Sequence, residues 1–189
     1  QLFARLGSMV TMVVRSRLAS HEEPEVSRTL RGVFAEEGIR VIPRATVSSV
    51  TPDRDTGEVV ATVTGPGGQD TLRAGRLMVA VGRRPVTENL GLGSVGVDTG
   101  ARGEILVDAR MATSNPKVWA AGDVTGHPQY VYVASAHGVT AVENAFHHTG
   151  QQIDYTHLPR VTFTSPAIAA VGMTDQQARE AGLRCECRV

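Results

Sequence analysis

The clearest chemical signal in the sequence is an apolar run that ends in glycine and aspartate. Residues 117–121 predict a buried strand, and Gly122 and Asp123 follow it directly. Glycine has no Cβ, so a ligand can approach the backbone closely at that point. Ligands of open α/β sheets bind beyond the carboxyl ends of the strands, where the Asp123 carboxylate could accept hydrogen bonds from sugar or polyol hydroxyls. A simple Gly-Asp turn is the alternative interpretation.

Two arginines follow an earlier apolar run, residues 9–14, which also predicts a buried strand. In a doubly wound fold the end of such a strand faces the adenosine ribose of a dinucleotide. An acidic residue there binds a free 2′-hydroxyl group, whereas arginine accommodates a 2′-phosphate. Arg15, and less directly Arg17, therefore favour NADPH over NADH. Two solvated loop arginines are the alternative.

One literal match to the dinucleotide-binding pattern G-x-G-x-x-G occurs at residues 91–96. That pattern binds pyrophosphate only where a strand precedes it and a helix follows it. Residues 88–90 do not predict a strand, and residues 97–100 do not predict a helix. We therefore interpret residues 91–96 as an ordinary glycine-rich loop.

The histidines and cysteines do not form a recognisable metal or redox motif. His147 and His148 are adjacent and cannot share one helical face, and no Cys/His set has zinc-site spacing. His137 lies in an alanine-rich stretch, where packing or an interface is expected rather than catalysis. Cys185 and Cys187 would lie on one face of a strand, where a disulfide between them would be strained, so we interpret them as structural.

The composition excludes several classes of protein. The 189 residues include 19 Lys+Arg and 19 Asp+Glu, so the net charge is zero, whereas a nucleic-acid partner calls for a basic surplus. No apolar run approaches the roughly 18 residues that a membrane span needs, and no signal peptide is predicted. We expect a cytoplasmic protein without a nucleic-acid or membrane partner.

The first part of the chain predicts the elements of an α/β fold. Residues 1–42 have the order helix, strand, helix, strand, which is half of a doubly wound unit. The second helix is expected to begin at a capping box of Ser20 and Glu23 and to bury a stripe that includes Leu30 and Phe34.

The remaining elements are shorter. Residues 44–75 predict an antiparallel hairpin or meander, and residues 76–81 a further apolar strand. Later elements are strands at 104–107, 117–121, 160–163 and 168–171, a helix at 131–148, and a short helix that Thr174 caps. The chain begins inside a predicted helix and ends inside a predicted strand, so we expect a piece of a longer enzyme.

Three runs in order, residues 76–85, 113–123 and 159–172, resemble the class I pyridine nucleotide–disulfide oxidoreductases. This is the flavoenzyme family of glutathione reductase and dihydrolipoamide dehydrogenase. The resemblance covers essentially the whole chain. It implies a doubly wound FAD/NAD(P)-binding α/β fold with an antiparallel meander and the start of an α+β dimerisation domain.

The resemblance also implies a division into three segments. Residues 1–83 would be the C-terminal part of the NAD(P)-binding domain. Residues 84–158 would be the central FAD-contacting domain, and residues 159–189 the truncated start of the dimerisation domain. A homodimer is implied for the longer enzyme.

Within the family, the runs at residues 3–8, 129–138 and 158–169 resemble the members that reduce mercury(II). Arg15 supports this, since an NADH-using dihydrolipoamide dehydrogenase would normally have glutamate there. The implied chemistry passes hydride from NADPH to FAD, then electrons to an active-site dithiol and to Hg(II). Cys185 and Cys187 match neither cysteine pair of those enzymes, so no catalytic residue is expected in this chain.

The resemblance assigns roles to five residues. Asp123 would hydrogen-bond the ribityl chain of FAD, next to Gly122, which is also expected to contact the cofactor. Val131 would offer a backbone contact near the flavin ring. Arg15 would meet the 2′-phosphate of NADPH, and Gly82 would lie near the pyridine-nucleotide pocket. Two alternatives stay open: another disulfide reductase, such as dihydrolipoamide dehydrogenase, or a non-catalytic cofactor-binding or assembly module.

Overall fold

The structure, a computed structural model, describes residues 1–186. The chain divides into two compact units. Unit 1 contains residues 1–79 together with the residues from His157 on, and unit 2 contains residues 80–156. The assignment of residues 1–83, 84–158 and 159–189 to three functional domains stays a prediction.

Unit 1 opens with a parallel βαβ element. Its parts are the helix α1 (Leu2–Arg5), the strand β1 (Thr11–Val14), the helix α2 (Pro24–Glu36) and the strand β2 (Arg40–Pro43). Strands β1 and β2 are parallel, with Thr11 opposite Arg40 and Val14 opposite Pro43. Parallel neighbours require a crossover connection, which α2 supplies. The predicted half of a doubly wound unit is therefore confirmed.

Helix α2 holds the core of this element together. Its Leu30 and Phe34 are buried with Leu18 and Ile39, so the predicted apolar stripe is confirmed for these two positions. The predicted capping box is wrong: the residue before the helix is Glu23, and its side chain makes no capping bond. Proline in the first turn already fixes the backbone for a helix, so the helix begins at residue 24 rather than near Ser20.

The predicted meander is also confirmed. It consists of β3 (Thr46–Pro52), β4 (Val59–Gly65) and β5 (Gly68–Ala74), with β4 in the middle of an antiparallel sheet. Ala61 and Val63 of β4 are buried. Gly65 pairs with Gly68 across the tight turn that joins β4 to β5.

Residues 76–81 are not a strand, although their apolar pattern predicts one. Leu77, Met78, Val79 and Val81 are 48–89% exposed. A strand exists only through hydrogen bonds to a neighbour, and within residues 1–186 none of the sheets includes this segment. The apolar pattern alone therefore does not produce a strand here.

Unit 2 has little regular sheet. The strands predicted at residues 104–107 and 117–121 are reduced to two isolated bridges, Thr99 with Ile105 and Ala112 with Trp119. Ile105 nevertheless lies in a core cluster of this unit. Residues 92–95 form a 3-10 helix between loops, which agrees with the interpretation of residues 91–96 as a glycine-rich loop. The main helix is α3 (Val131–His147), as predicted.

The C-terminal elements complete unit 1. Strands β6 (Arg160–Thr162) and β7 (Ile168–Ala170) pair antiparallel, and Thr174 and Gln177 form the predicted capping box of α4 (Asp175–Glu180). Arg160 pairs with Glu22 at 3.2 Å, so these elements are joined to the start of the chain. In the described part of the chain, no helix is long and apolar enough to cross a bilayer.

Candidate functional site

A short turn carries Asp123 and packs against α3. We call residues 122–125, a 3-10 helix, the Gly122 turn. Gly122 is buried and has φ +77°, and a Cβ at this position would lie 3.1 Å from Cβ of Ala134 in α3. The glycine is therefore needed both for its backbone conformation and for space. Helix α3 approaches this glycine closely, whereas the approach of a ligand stays a prediction.

We expect the substitution Gly122→Ala to lower the free energy of unfolding by about 2–5 kcal/mol, because a left-handed backbone costs a residue with a Cβ about 1–2 kcal/mol and overpacking about 1–3 kcal/mol. Thermal unfolding of the full-length protein measures this. Gly138→Ala is the matched control, since this helical glycine has nothing within 4 Å of its Cβ position. The control should be neutral or stabilising. Equal stability of both variants would contradict the account.

The Asp123 side chain does not hold the turn together. Thr125 Oγ1 donates to the Gly122 carbonyl at 2.8 Å, and the Gly126 N–H donates to the Asp123 carbonyl. The carboxylate itself pairs with Arg83 at 3.4 Å, with the two side chains 49% and 66% exposed. Exposed ion pairs contribute little, so the carboxylate is open to a ligand. The ligand-binding role of Asp123 stays a prediction.

The N-terminus of α3 lies beside the Gly122 turn, as the Gly122–Ala134 contact shows. Tyr130, the residue before the helix, provides no side-chain cap, and Val131 is 86% exposed. The first N–H groups of a helix have no partner within it, and they favour electron-rich ligand groups. The structure thus places the first turn of α3, which includes Val131, next to the turn of Gly122 and Asp123.

A buried histidine lies behind the turn. His137 of α3 is 0% exposed; its Nδ1 accepts from the Gly122 N–H at 3.1 Å, and its Nε2 lies 2.6 Å from the Tyr155 hydroxyl. Burial lowers the pKa of His137, and the nearby His127 lowers it further. Burial raises the pKa of Tyr155. The sequence predicts packing for His137 but not these partners.

The two arginines after β1 differ in their surroundings. The Arg17 guanidinium donates to the carbonyl of Glu22 at 2.7 Å and to those of Ala19 and Glu23 at 3.4 Å, so it holds its own loop. Arg15 is exposed. Gly82 belongs to unit 2 and has φ +126°. The nucleotide-binding roles of Arg15 and Gly82 stay predictions.

Within residues 1–186, no three His, Cys, Asp or Glu side chains come together as metal ligands would. Cys185 is an exposed free thiol. Cys187 lies outside the described residues, so the structural interpretation of the cysteine pair stays a prediction.

The parallel βαβ element and the antiparallel meander are elements of an α/β fold of the doubly wound class. The chain belongs to the pyridine nucleotide-disulphide oxidoreductase family, whose sequence model matches residues 1–138. The mercuric reductase of Streptomyces lividans is 55% identical over 188 residues, which cover 100% of this chain and 39% of that protein. The mercuric reductase of Bacillus cereus is 40% identical over 190 residues, which cover 100% of this chain and 30% of that protein.

Solved structures agree with this assignment. RclA of Escherichia coli, an HOCl-induced flavoprotein disulfide reductase, superposes with a TM-score of 0.84 at 27% identity over 96% of this chain and 40% of that chain. LpdA of Mycobacterium tuberculosis gives 0.83 at 30% identity over 95% of this chain and 38% of that chain. The chain therefore spans 30–40% of the length of these relatives.

The comparisons confirm three predictions. The α/β fold class is that of the flavoprotein disulfide reductases. The resemblance to the mercury(II)-reducing members is confirmed by the identities with two mercuric reductases. The family assignment also confirms FAD and NADPH as the cofactors that the resemblance implies.

Proposed function

We propose that this chain is the cofactor-contacting part of an NADPH-dependent, FAD-containing mercury(II) reductase. The observation that carries the proposal is the 55% identity with a mercuric reductase over the full length of the chain. The similarity to RclA and LpdA, at 27% and 30% identity, is lower. A disulfide reductase with another substrate is therefore the second candidate.

The residues around the Gly122 turn fit the middle part of FAD. The half-exposed Asp123 carboxylate would accept a hydrogen bond from a ribityl hydroxyl group. The uncapped N–H groups at Val131 would meet the electron-rich edge of the flavin. When bound, FAD supplies the electron transfer between NADPH and a dithiol; the chain's own residues bind and orient it.

The nucleotide would be selected by Arg15. Its position directly after β1 is where a doubly wound fold meets the adenosine ribose. Arg17 holds the loop through backbone carbonyls, which leaves the exposed Arg15 as the candidate for the 2′-phosphate. Gly82 would lie near the pyridine-nucleotide pocket.

The proposal has wider consequences for the whole protein. Its substrate would be Hg(II), and its biological role resistance to mercury. We also propose that the whole protein is a homodimer and works in the cytoplasm.

The test is the electron acceptor that the full-length protein uses. We expect NADPH oxidation to be fast with Hg(II), with release of elemental mercury, and slow with oxidised glutathione or lipoamide. Fast reduction of a disulfide and none of Hg(II) would favour the second candidate. Binding of cofactor without any turnover would favour a non-catalytic module.

Residues 1–189 alone serve as the control. We expect no NADPH-dependent reduction of Hg(II) from them, because the resemblance places the redox dithiol outside this segment. Turnover by the isolated segment that Cys185→Ser abolishes would overturn both this expectation and the structural interpretation of Cys185.

A further inference from the structure

The imidazole of His137 has a defined tautomer. The Gly122 N–H can only donate, so Nδ1, 3.1 Å away, must be the unprotonated acceptor. The hydrogen is then on Nε2 and is donated to the Tyr155 oxygen at 2.6 Å. Both ring nitrogens of a fully buried side chain are thereby satisfied, and the ring is neutral.

We infer that His137 is a positioning residue for the flavin site: by accepting the Gly122 N–H, it holds the turn that presents Asp123 to the ribityl chain. This inference rests on the proposed function. It assigns no catalytic step to His137, because the imidazole is enclosed behind the turn and acts through Gly122.

The Gly122 turn is held from both sides. Thr125 Oγ1 donates to the Gly122 carbonyl, and His137 accepts from the Gly122 N–H. Asp123 is the next residue, so a displacement of this peptide moves the Asp123 backbone with it. A buried N–H that loses its acceptor is costly, and a small misplacement of a binding group weakens its contact.

The surroundings of His137 keep the ring neutral. Two titratable rings face it: Tyr155 at a centroid distance of 5.8 Å, and His127 at 5.7 Å, which also stacks on Tyr155. The Asp123 carboxylate points to Arg83 instead. A second proton would turn Nδ1 into a donor opposite the Gly122 N–H. Protonation would therefore release the turn.

Two conservative variants separate the two hydrogen bonds. The side-chain oxygen of asparagine can take the place of Nδ1, so His137→Asn keeps an acceptor for Gly122. The amide of glutamine can take the place of Nε2, so His137→Gln keeps only the donor to Tyr155. His137→Leu removes both bonds. His147→Asn, at an exposed histidine of the same helix, is the matched control.

FAD dissociation constants of the full-length protein give the first test. We expect about a 10-fold increase for His137→Gln and His137→Leu, and a far smaller one for His137→Asn and the control. Because the pKa of His137 lies below its ordinary value, wild-type affinity should hold near neutral pH and decline only in the acid range where His137 gains a proton. His137→Asn should lack this decline. Equal losses of FAD affinity in the Asn and Gln variants would overturn the inference, and His137 would then be only a packed side chain of the core.

Hydrogen exchange at the Gly122 amide in the apoprotein gives a readout without flavin. It should be slow in the wild type and His137→Asn and faster in His137→Gln. Equal exchange rates in these three proteins would overturn the inference. If exchange behaves as expected but the wild-type protein binds no FAD, the proposed function fails instead. If His137→Leu does not fold, the Asn and Gln pair decides the question.

Discussion

The substitution Asp123→Ala should weaken FAD binding to the full-length protein by about 10- to 150-fold, because a hydrogen bond to a charged group contributes about 1.5–3 kcal/mol. The stability of the apoprotein should change little. Thr125, rather than Asp123, donates the side-chain hydrogen bond within the turn, and the exposed pair with Arg83 is weak.

Flavin occupancy and thermal unfolding of the apoprotein, measured side by side, check this expectation. The matched control is Asp98→Ala, at an exposed aspartate of the same unit, which should retain FAD normally. If Asp123→Ala unfolds at a lower temperature but binds FAD with unchanged affinity, Asp123 is an ordinary turn residue and not a ligand-binding one.

The substitution Arg15→Glu should reverse the nucleotide preference of the full-length protein. Loss of a charge-assisted bond to the 2′-phosphate lowers kcat/KM for NADPH by about 10- to 150-fold, and the new carboxylate adds repulsion. NADH lacks this phosphate, and the glutamate can bind its free 2′-hydroxyl group. The ratio of kcat/KM for the two nucleotides measures the change.

Arg17→Ala provides the comparison for Arg15. Because Arg17 binds backbone carbonyls of its own loop, its loss should lower stability while leaving the ratio of kcat/KM nearly unchanged. An unchanged ratio in Arg15→Glu would make Arg15 a solvated loop charge. A changed ratio only in the Arg17 variant would move the phosphate contact to that residue.

Local patterns in the sequence predict the elements that carry their own signals. Apolar spacing predicts the buried stripe of α2, and turn residues mark the strands of the meander. The capping box of Thr174 and Gln177 is likewise a pattern within four residues. The turn after residue 121 is also predictable, because a glycine and an aspartate follow an apolar run.

Contacts between distant residues could not be predicted in this way. His137 reaches Gly122 across 15 residues and Tyr155 across 18, and neither spacing is a recognised motif. The strand predicted at residues 76–81 is wrong for the opposite reason: the local apolar pattern is present, but no described strand pairs with this segment. The capping-box spacing of Ser20 and Glu23 is also present, yet α2 begins at Pro24 without a side-chain cap.

The discontinuity of unit 1 has a consequence for how the chain folds during synthesis. All of unit 2 is available once residue 156 has left the ribosome. The ion pair of Glu22, in contrast, can form only after Arg160 has been made, 138 residues later. Domains generally fold as units while the chain emerges, and closing so long a loop slows the pairing. We expect the central unit to form first and the βαβ element to be the last part of the chain to gain its full set of contacts.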